Sequence, residues 1–372
     1  MSDVEGERSE ARYSFLRHSG WQEAIQVRLA ADASARRYIR VIKDDHSAIL
    51  MDQPQQTETL AADTDTSPAD RHRLGYNAVA RLAGADCARF VAVAEHLRAL
   101  GLSAPEIIAA DTENGFLLLE DFGDNLYTNA IATGTDENEL YGAAIDALVA
   151  IHNEPVPTTL GQIPFFDYDE TALLAEIDLL TEWFLPQALG RPTHLDERNE
   201  HRSLWQATLT PVLREPRTFV HRDYHAQNLI WMPERNGVAR VGMVDFQDAV
   251  SGHPAYDLIS LLEDARRDVS PKLASAMTAQ YLERRNDNAN SEEFFSAAAV
   301  LAAQRNAKII GIFARLAKRD GKPSYLSHLP RVWRYMEHDL KHPRLKTLKA
   351  WYERMVPHEI RIGALRDQGE RR

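Results

Sequence analysis

Residues 218–246 limit what this chain can fold into more than any other stretch. A strand-like run, Thr218-Phe219-Val220, opens into His221-Arg222-Asp223-Tyr224-His225-Ala226-Gln227-Asn228, the pattern H-R-D-x-x-x-x-N. Two apolar runs, 228–232 and 240–244, flank the turn-like Pro233-Glu234-Arg235-Asn236-Gly237 and predict an antiparallel hairpin. Asp245-Phe246-Gln247 follows it directly, so Asn228 and Asp245 face each other at its open end. Asp223 sits on the loop that leads in. In-line phosphoryl transfer asks for a carboxylate beside the attacking hydroxyl and for oxygen ligands that hold a cation against the phosphates. Mg2+ takes few protein oxygens and fills its remaining positions with water and phosphate. Asp223 is therefore the candidate catalytic carboxylate, and Asn228 and Asp245 are the candidate Mg2+ ligands. Aspartates are common in turns, and it is the order of strand, loop and hairpin that gives these three more weight than turn formers.

Around this stretch the chain reads as α+β. Residues 25–31, 38–43 and 48–51 are short β-branched or aliphatic runs separated by polar turns, which predicts strands. Residues 52–73, rich in Thr, Asp, Gln and Pro, predict a surface loop. Phe90, Val93, Ala94, Leu97 and Leu100 recur at helical spacing before Gly101. Gly115-Phe116-Leu117-Leu118-Leu119-Glu120-Asp121 predicts a buried strand that breaks at Phe122-Gly123-Asp124. A lobe boundary is placed there, giving a β-rich lobe over 1–121 and a larger, mostly helical lobe over 122–372. Asp257 falls at a predicted helix start, where its carboxylate either caps the helix or braces the catalytic loop.

The net charge of -12 and the absence of a basic run exclude a nucleic-acid stripe. A lone cysteine, Cys87, rules out an internal disulfide or a cysteine-built zinc site. With no apolar signal segment at 1–10 and no run of transmembrane length, the expectation is a cytoplasmic enzyme with no membrane and no obligate protein partner.

On these motifs the chain resembles the aminoglycoside phosphotransferase and choline kinase group of the kinase-like superfamily. Asp32-Ala33-Ser34-Ala35-Arg36-Arg37-Tyr38, Leu118-Leu119-Glu120-Asp121-Phe122-Gly123-Asp124, Phe246-Gln247-Asp248-Ala249 and the 304–325 stretch QRNAKIIGIFARLAKRDGKPSY narrow it further. They resemble the anomeric kinases of N-acetylmuramate and N-acetylglucosamine of bacterial cell-wall recycling. The resemblance implies a two-lobed kinase-like fold and an ATP- and Mg2+-dependent kinase, with a sugar as acceptor. It also implies a hinge at Glu120 to Phe122 that meets adenine. The alternative is an aminoglycoside- or choline-type phosphotransferase.

Two departures from the protein-kinase pattern matter. The phosphate-covering turn at 32–36 has no glycine, which leaves backbone N–H groups and the Ser34 hydroxyl to cradle phosphate, if Ser34 is more than a turn former. The lysine expected on the third strand is missing, so a cation must come from elsewhere, with Arg37 and Arg40 as the candidates. Asp245 and Asp257 are too close for a long activation loop, which disfavours a protein acceptor. Arg305, Lys308 and Arg315 fall on one edge of a late helix, either converging on a sugar carboxylate or lying on a solvated flank. His225 and Gln247, beside the two motifs, complete the candidate sugar contacts.

Overall fold

The computed structural model describes residues 2–29, 36–54, 62–285 and 291–363. They pack into two compact units, one made of Met1–Ile151, Pro157–Phe166 and Ala226–Ala249, the other of His152–Val156, Asp167–His225 and Val250–Arg372. The chain passes from the second unit to the first between His225 and Ala226, inside the H-R-D-x-x-x-x-N loop. Residues 226–249 thus join the first unit although they lie within the second of the lobes drawn from sequence.

The first unit opens with a helix, α1 (Ser2–His18), and a five-stranded antiparallel sheet. Its strands are β1 (Ile25–Arg28), β2 (Arg37–Lys43), β3 (His46–Asp52), β4 (Ile107–Asp111) and β5 (Phe116–Glu120), in the order β1-β2-β3-β5-β4. β2 and β3 meet through a two-residue turn, Asp44-Asp45, in which Asp44 takes a positive φ of 53°, a conformation that aspartate tolerates in hairpin turns. Side chains alternate across the sheet, so Ile39, Val41, Ala48, Leu50, Phe116 and Leu118 line one face. Phe15 and Leu16 of α1 cover that face, and burying each such side chain contributes about 1.5–3 kcal/mol. The polar composition of α1 gave no sign of this docking. Its anchor is the fully buried Asp52 of β3, which accepts from Arg8 Nε at 2.9 Å while the same guanidinium lies 3.8 Å from the Phe116 ring centroid.

The loop expected over 52–73 is partly a helix, and its residues 55–61 lie outside the described ones. α2 (Pro68–Leu74) starts at Ser67, whose Oγ accepts from Asp70 N at 3.2 Å, with proline at the first helical position. α3 (Tyr76–Ala80) and α4 (Cys87–Ala99) follow, and α4 buries Phe90, Val93, Ala94 and Leu97 as the spacing required. α5 (Tyr127–Ala132) and α6 (Glu137–His152) come after the sheet. The expected hairpin is present: Leu229–Trp231 pairs antiparallel with Val241–Met243, Ile230 opposite Gly242.

In the second unit the described helices are α7 (Glu170–Leu179), α8 (Leu185–Leu189), α9 (Leu195–Val212), α10 (Ala255–Leu262), α11 (Pro271–Arg284), α12 (Ser291–Arg319), α13 (Leu329–Asp339), α14 (Lys346–Met355) and α15 (His358–Gly363). A π-helical turn, Leu180–Phe184, joins α7 to α8. The 29-residue α12 is the central element, packed against α7, α10 and α13. It passes so close to the end of α7 that a Cβ on Gly311 would sit 2.4 Å from the Leu179 carbonyl carbon, which only glycine avoids. The strand predicted at 218–220 is present and pairs antiparallel with Val250–Gly252. Among the described residues no helix is long and apolar enough to cross a membrane.

Candidate active site

The catalytic-loop motif leaves the fully buried strand Thr218–Val220 and turns at once. Arg222 adopts a positive φ of 75°, a conformation that costs a non-glycine residue about 1–2 kcal/mol and persists only where its surroundings impose it. Asp257 imposes it here. From the first turn of α10 its carboxylate accepts the His221 N–H at 2.6 Å and the Arg222 N–H at 2.9 Å. Of the two roles open to Asp257, the structure selects bracing the loop over capping the helix: the carboxylate turns away from its own helix to bind the loop's backbone.

A second buried carboxylate holds the arginine side chain. Glu176 of α7 accepts Arg222 Nη2 at 2.5 Å, Lys308 Nζ at 2.8 Å and Gln304 Nε2 at 3.1 Å, and also the Tyr168 hydroxyl. Burial alone would raise the Glu176 carboxyl, but the Lys308 and Arg222 charges outweigh it and hold the group below the usual carboxylate range. The Arg222 guanidinium lies 4.6 Å from the Tyr168 ring centroid. Asp223, next along the chain, is half-buried. Burial pushes its carboxyl up, and the neighbouring Lys308, Arg222 and Arg305 charges pull it below its ordinary range, so it is an ionised acceptor at neutral pH.

In the first unit the hairpin closes as the sequence required, with Val244 N donating to Asn228 O at 3.1 Å. This sets Asn228 beside the residue that follows Val244. Asp245 also takes a positive φ, 61°, and its side chain is 44% exposed, so its carboxylate is aimed outward by strained backbone. The neighbouring residues pin it: Phe246 is buried 4.7 Å from the Phe90 ring centroid, and Asp248 Oδ1 accepts Ala83 N at 2.6 Å. Gln247 is buried, and its Nε2 donates to Asp245 Oδ1 at 2.9 Å. Gln247 thus supports the carboxylate it follows.

Among the described residues no group of three or more His, Cys, Asp or Glu is placed to hold a metal. Mg2+ fills most of its positions with water and phosphate oxygens. One amide and one outward carboxylate would fit that hard cation, which makes Asn228 and Asp245 its candidate protein ligands.

Strand parity separates the candidate phosphate cations. Tyr38 and Arg40 share one face of β2, a parity that Arg36, just before the strand, continues, whereas Arg37 falls in register with the core-facing Ile39 and Val41, exposed at the strand end. Arg40 is committed to Asp121 at 2.6 Å and Asp124 at 2.8 Å. It is Arg36, which sequence reasoning passed over, that reaches Asp245 Oδ1, at 3.4 Å. Ser34 lies outside the described residues.

At the expected hinge, Glu120 ends β5, accepts Glu106 N at 3.2 Å and pairs with Arg235. The Phe122 ring lies 5.1 Å from the Arg235 guanidinium and against Gly242, where a Cβ would approach Phe122 Cδ2 to 2.9 Å. The missing side chain at Gly242 is what lets this ring approach the hairpin so closely.

The late-helix residues lie as follows. Arg305 is buried and donates to Ser260 Oγ at 2.9 Å, Lys308 is held by Glu176, and Arg315 lies half-buried farther along α12. Arg305 and Lys308 act electrostatically on Asp223 from inside the unit, and neither lies on a solvated flank. His225 is buried, with Nε2 3.5 Å from Arg266 Nη1. Sequence reasoning also missed Glu176, although a lone carboxylate in the apolar run Ala172-Leu173-Leu174-Ala175-Glu176-Ile177 was a readable signal.

Comparison with known proteins gives the family. The model of the phosphotransferase enzyme family matches residues 26–295. A protein of Caulobacter vibrioides named N-acetylmuramate/N-acetylglucosamine kinase is 45% identical over 368 residues, covering 96% of this chain and 99% of that one. A Pseudomonas aeruginosa protein of the same name is 34% identical over 326 residues, covering 86% of this chain and 85% of that one. Among solved structures, the choline kinase LicA from Streptococcus pneumoniae superposes with a TM-score of 0.56 at 14% identity, covering 90% of this chain and 100% of that one. That likeness establishes the α+β, protein-kinase-like fold. The chain belongs to the phosphotransferase enzyme family.

Proposed function

We propose that this chain is a cytoplasmic ATP-dependent kinase that phosphorylates the anomeric C1 hydroxyl of N-acetylmuramate and N-acetylglucosamine in cell-wall recycling. The observation that carries the reading is the 45% identity, over nearly the whole of both chains, to a kinase named for these two sugars. The braced catalytic loop supports it. In this reading Asp223 orients the C1 hydroxyl and accepts its proton as the sugar oxygen attacks the γ-phosphorus and the bond from that phosphorus to ADP breaks. A carboxylate held below its ordinary range is a weak base and takes the proton late. That suits an anomeric hydroxyl, which is more acidic than an ordinary alcohol. Asn228 and Asp245 hold Mg2+, which when bound neutralises phosphate charge. Residues 1–121 supply the nucleotide lobe, with adenine at Glu120 to Phe122, and 122–372 supply catalysis and the sugar site.

The test is ADP release with each sugar, with choline and with an aminoglycoside, followed by phosphorus-coupled NMR of the product. A sugar 1-phosphate formed from one anomer is expected. A 6-phosphate, or full activity on a methyl glycoside, refutes the anomeric assignment, and turnover of choline or the aminoglycoside alone refutes the sugar assignment.

A further inference from the structure

Beside Asp223, within the second unit, the fold gathers polar groups that the catalytic loop does not use. Residues 263–268, Glu-Asp-Ala-Arg-Arg-Asp, follow α10. Asp264 is 1% exposed, and its Oδ1 accepts Arg266 N at 2.8 Å, while its Oδ2 is buried without a hydrogen-bond partner. His225 is 6% exposed and sits two residues after Asp223. The Arg266 guanidinium can only donate, so His225 Nε2 accepts from it and the ring proton resides on Nδ1. That Nδ1 is buried and also has no partner. Burial pushes the imidazole down to about 4, so at neutral pH it is an uncharged donor. One buried donor and one buried acceptor are thus left over, and native folds rarely leave such groups unpaired unless a water or a ligand completes them.

The third component is charge. Arg266 is half-buried, its guanidinium lies 6.0 Å from the Tyr325 ring centroid, and among the described residues it forms no ion pair. Of the neighbouring cations, Lys308 pairs with Glu176 and Arg331 with Asp268 at 2.8 Å, while Arg305 is buried with its guanidinium on Ser260 Oγ and the Glu263 carbonyl oxygen.

We propose that Arg266 reads the lactyl carboxylate of N-acetylmuramate, in a sugar subsite completed by His225 and Asp264. The proposal rests on the sugar-kinase reading above. A sugar hydroxyl both donates and accepts, and so it can use the His225 N–H and the Asp264 oxygen. A carboxylate is what the planar guanidinium binds with two parallel hydrogen bonds. N-acetylglucosamine shares the hydroxyls and lacks the carboxylate, so Arg266 discriminates between the two while His225 and Asp264 serve both.

Steady-state kinetics of wild-type enzyme, Arg266→Met and Arg266→Gln on both sugars decide the matter, with thermal melting to confirm folding; either variant that folds suffices. The expected result is a fall of at least about tenfold in the ratio of kcat/KM for N-acetylmuramate to that for N-acetylglucosamine, carried mainly by a higher KM for the acidic sugar. A ratio within about twofold of wild type in a folded variant overturns the assignment, whether both sugars suffer equally or neither does. A wild-type enzyme that turns over neither sugar brings down the sugar-kinase reading itself and this assignment with it, so the two failures are told apart by the wild-type arm.

Discussion

The brace from Asp257 to the catalytic loop gives the most direct test of how the fold serves the chemistry. Asp257 is fully buried and receives two backbone N–H groups, from His221 at 2.6 Å and Arg222 at 2.9 Å. Asp257→Asn keeps the shape but can accept with only one oxygen, and its amide nitrogen then faces a backbone donor. One charge-assisted hydrogen bond is lost and one N–H is left buried and unpaired, together about 2–4 kcal/mol. The positive φ at Arg222 is then no longer imposed, and its relaxation displaces the adjoining Asp223. For a unit of this size the melting temperature should fall by about 5–10 °C. A misplacement near 1 Å costs about a hundredfold in rate, so kcat should drop about 10- to 100-fold with KM for ATP little changed. Differential scanning calorimetry and steady-state kinetics measure both. A variant with wild-type kcat, melting several degrees lower, would refute the link between brace and catalysis while leaving the brace a stabilising contact.

Three further outcomes follow from the same geometry. Asp223→Asn should lower kcat by at least about a hundredfold with ATP binding retained in a calorimetric titration, because in the proposed mechanism it removes only the proton acceptor. Asp245→Ala should abolish turnover and weaken Mg-ATP binding together, and an unchanged Mg2+ dependence of binding would place the ion elsewhere. Glu263 and Asp339 are held above the usual carboxylate range by burial, next to Asn306, whose amide donates to both at 3.0 Å. Folded-state values above the unfolded ones mean that the pair's contribution to stability is fully present below the ordinary carboxylate range and is lost as pH rises through the raised values. Asp339→Asn, which supplies a donor without a titrating proton, should therefore flatten the loss of melting temperature on the alkaline side, measured by thermal denaturation across pH.

The hairpin of Leu229–Trp231 and Val241–Met243 was legible because a period-two apolar pattern around turn residues has few other solutions. The site's finer wiring was not, because it depends on partners far away in sequence. A carboxylate in a helix's first turn looks the same whether it caps or braces, and only the tertiary partners of Asp257 distinguish the two. Arg36 and Arg37 differ by one residue, and strand parity sends them to opposite faces once the strand start is known. Helical spacing put Arg305, Lys308 and Arg315 on one arc, yet it does not reveal that α12 is buried on several sides. Gln304, Arg305 and Asn306 are all buried, and at such positions charges need internal partners. α1 was invisible because few apolar residues anchor it and Asp52 supplies the rest.

Glu176 explains how the catalytic loop can be held in place within a short segment. Kinases with the H-R-D motif commonly recruit an added phosphate to order the activation segment through new arginine pairs. Here Arg222 already has an anion, a buried carboxylate on α7, which Lys308 of α12 shares. Only eleven residues separate Asp245 from Asp257, which leaves no long segment to be ordered. A buried carboxylate with two cationic partners is expensive to break, because removing it strands both charges at a cost of about 3–5 kcal/mol. The same two cations, with Arg305, help hold the Asp223 carboxyl below its ordinary range. The Arg222 side chain and the cationic surroundings of Asp223 thus belong to one buried cluster, formed where α7, α12 and the loop pack together.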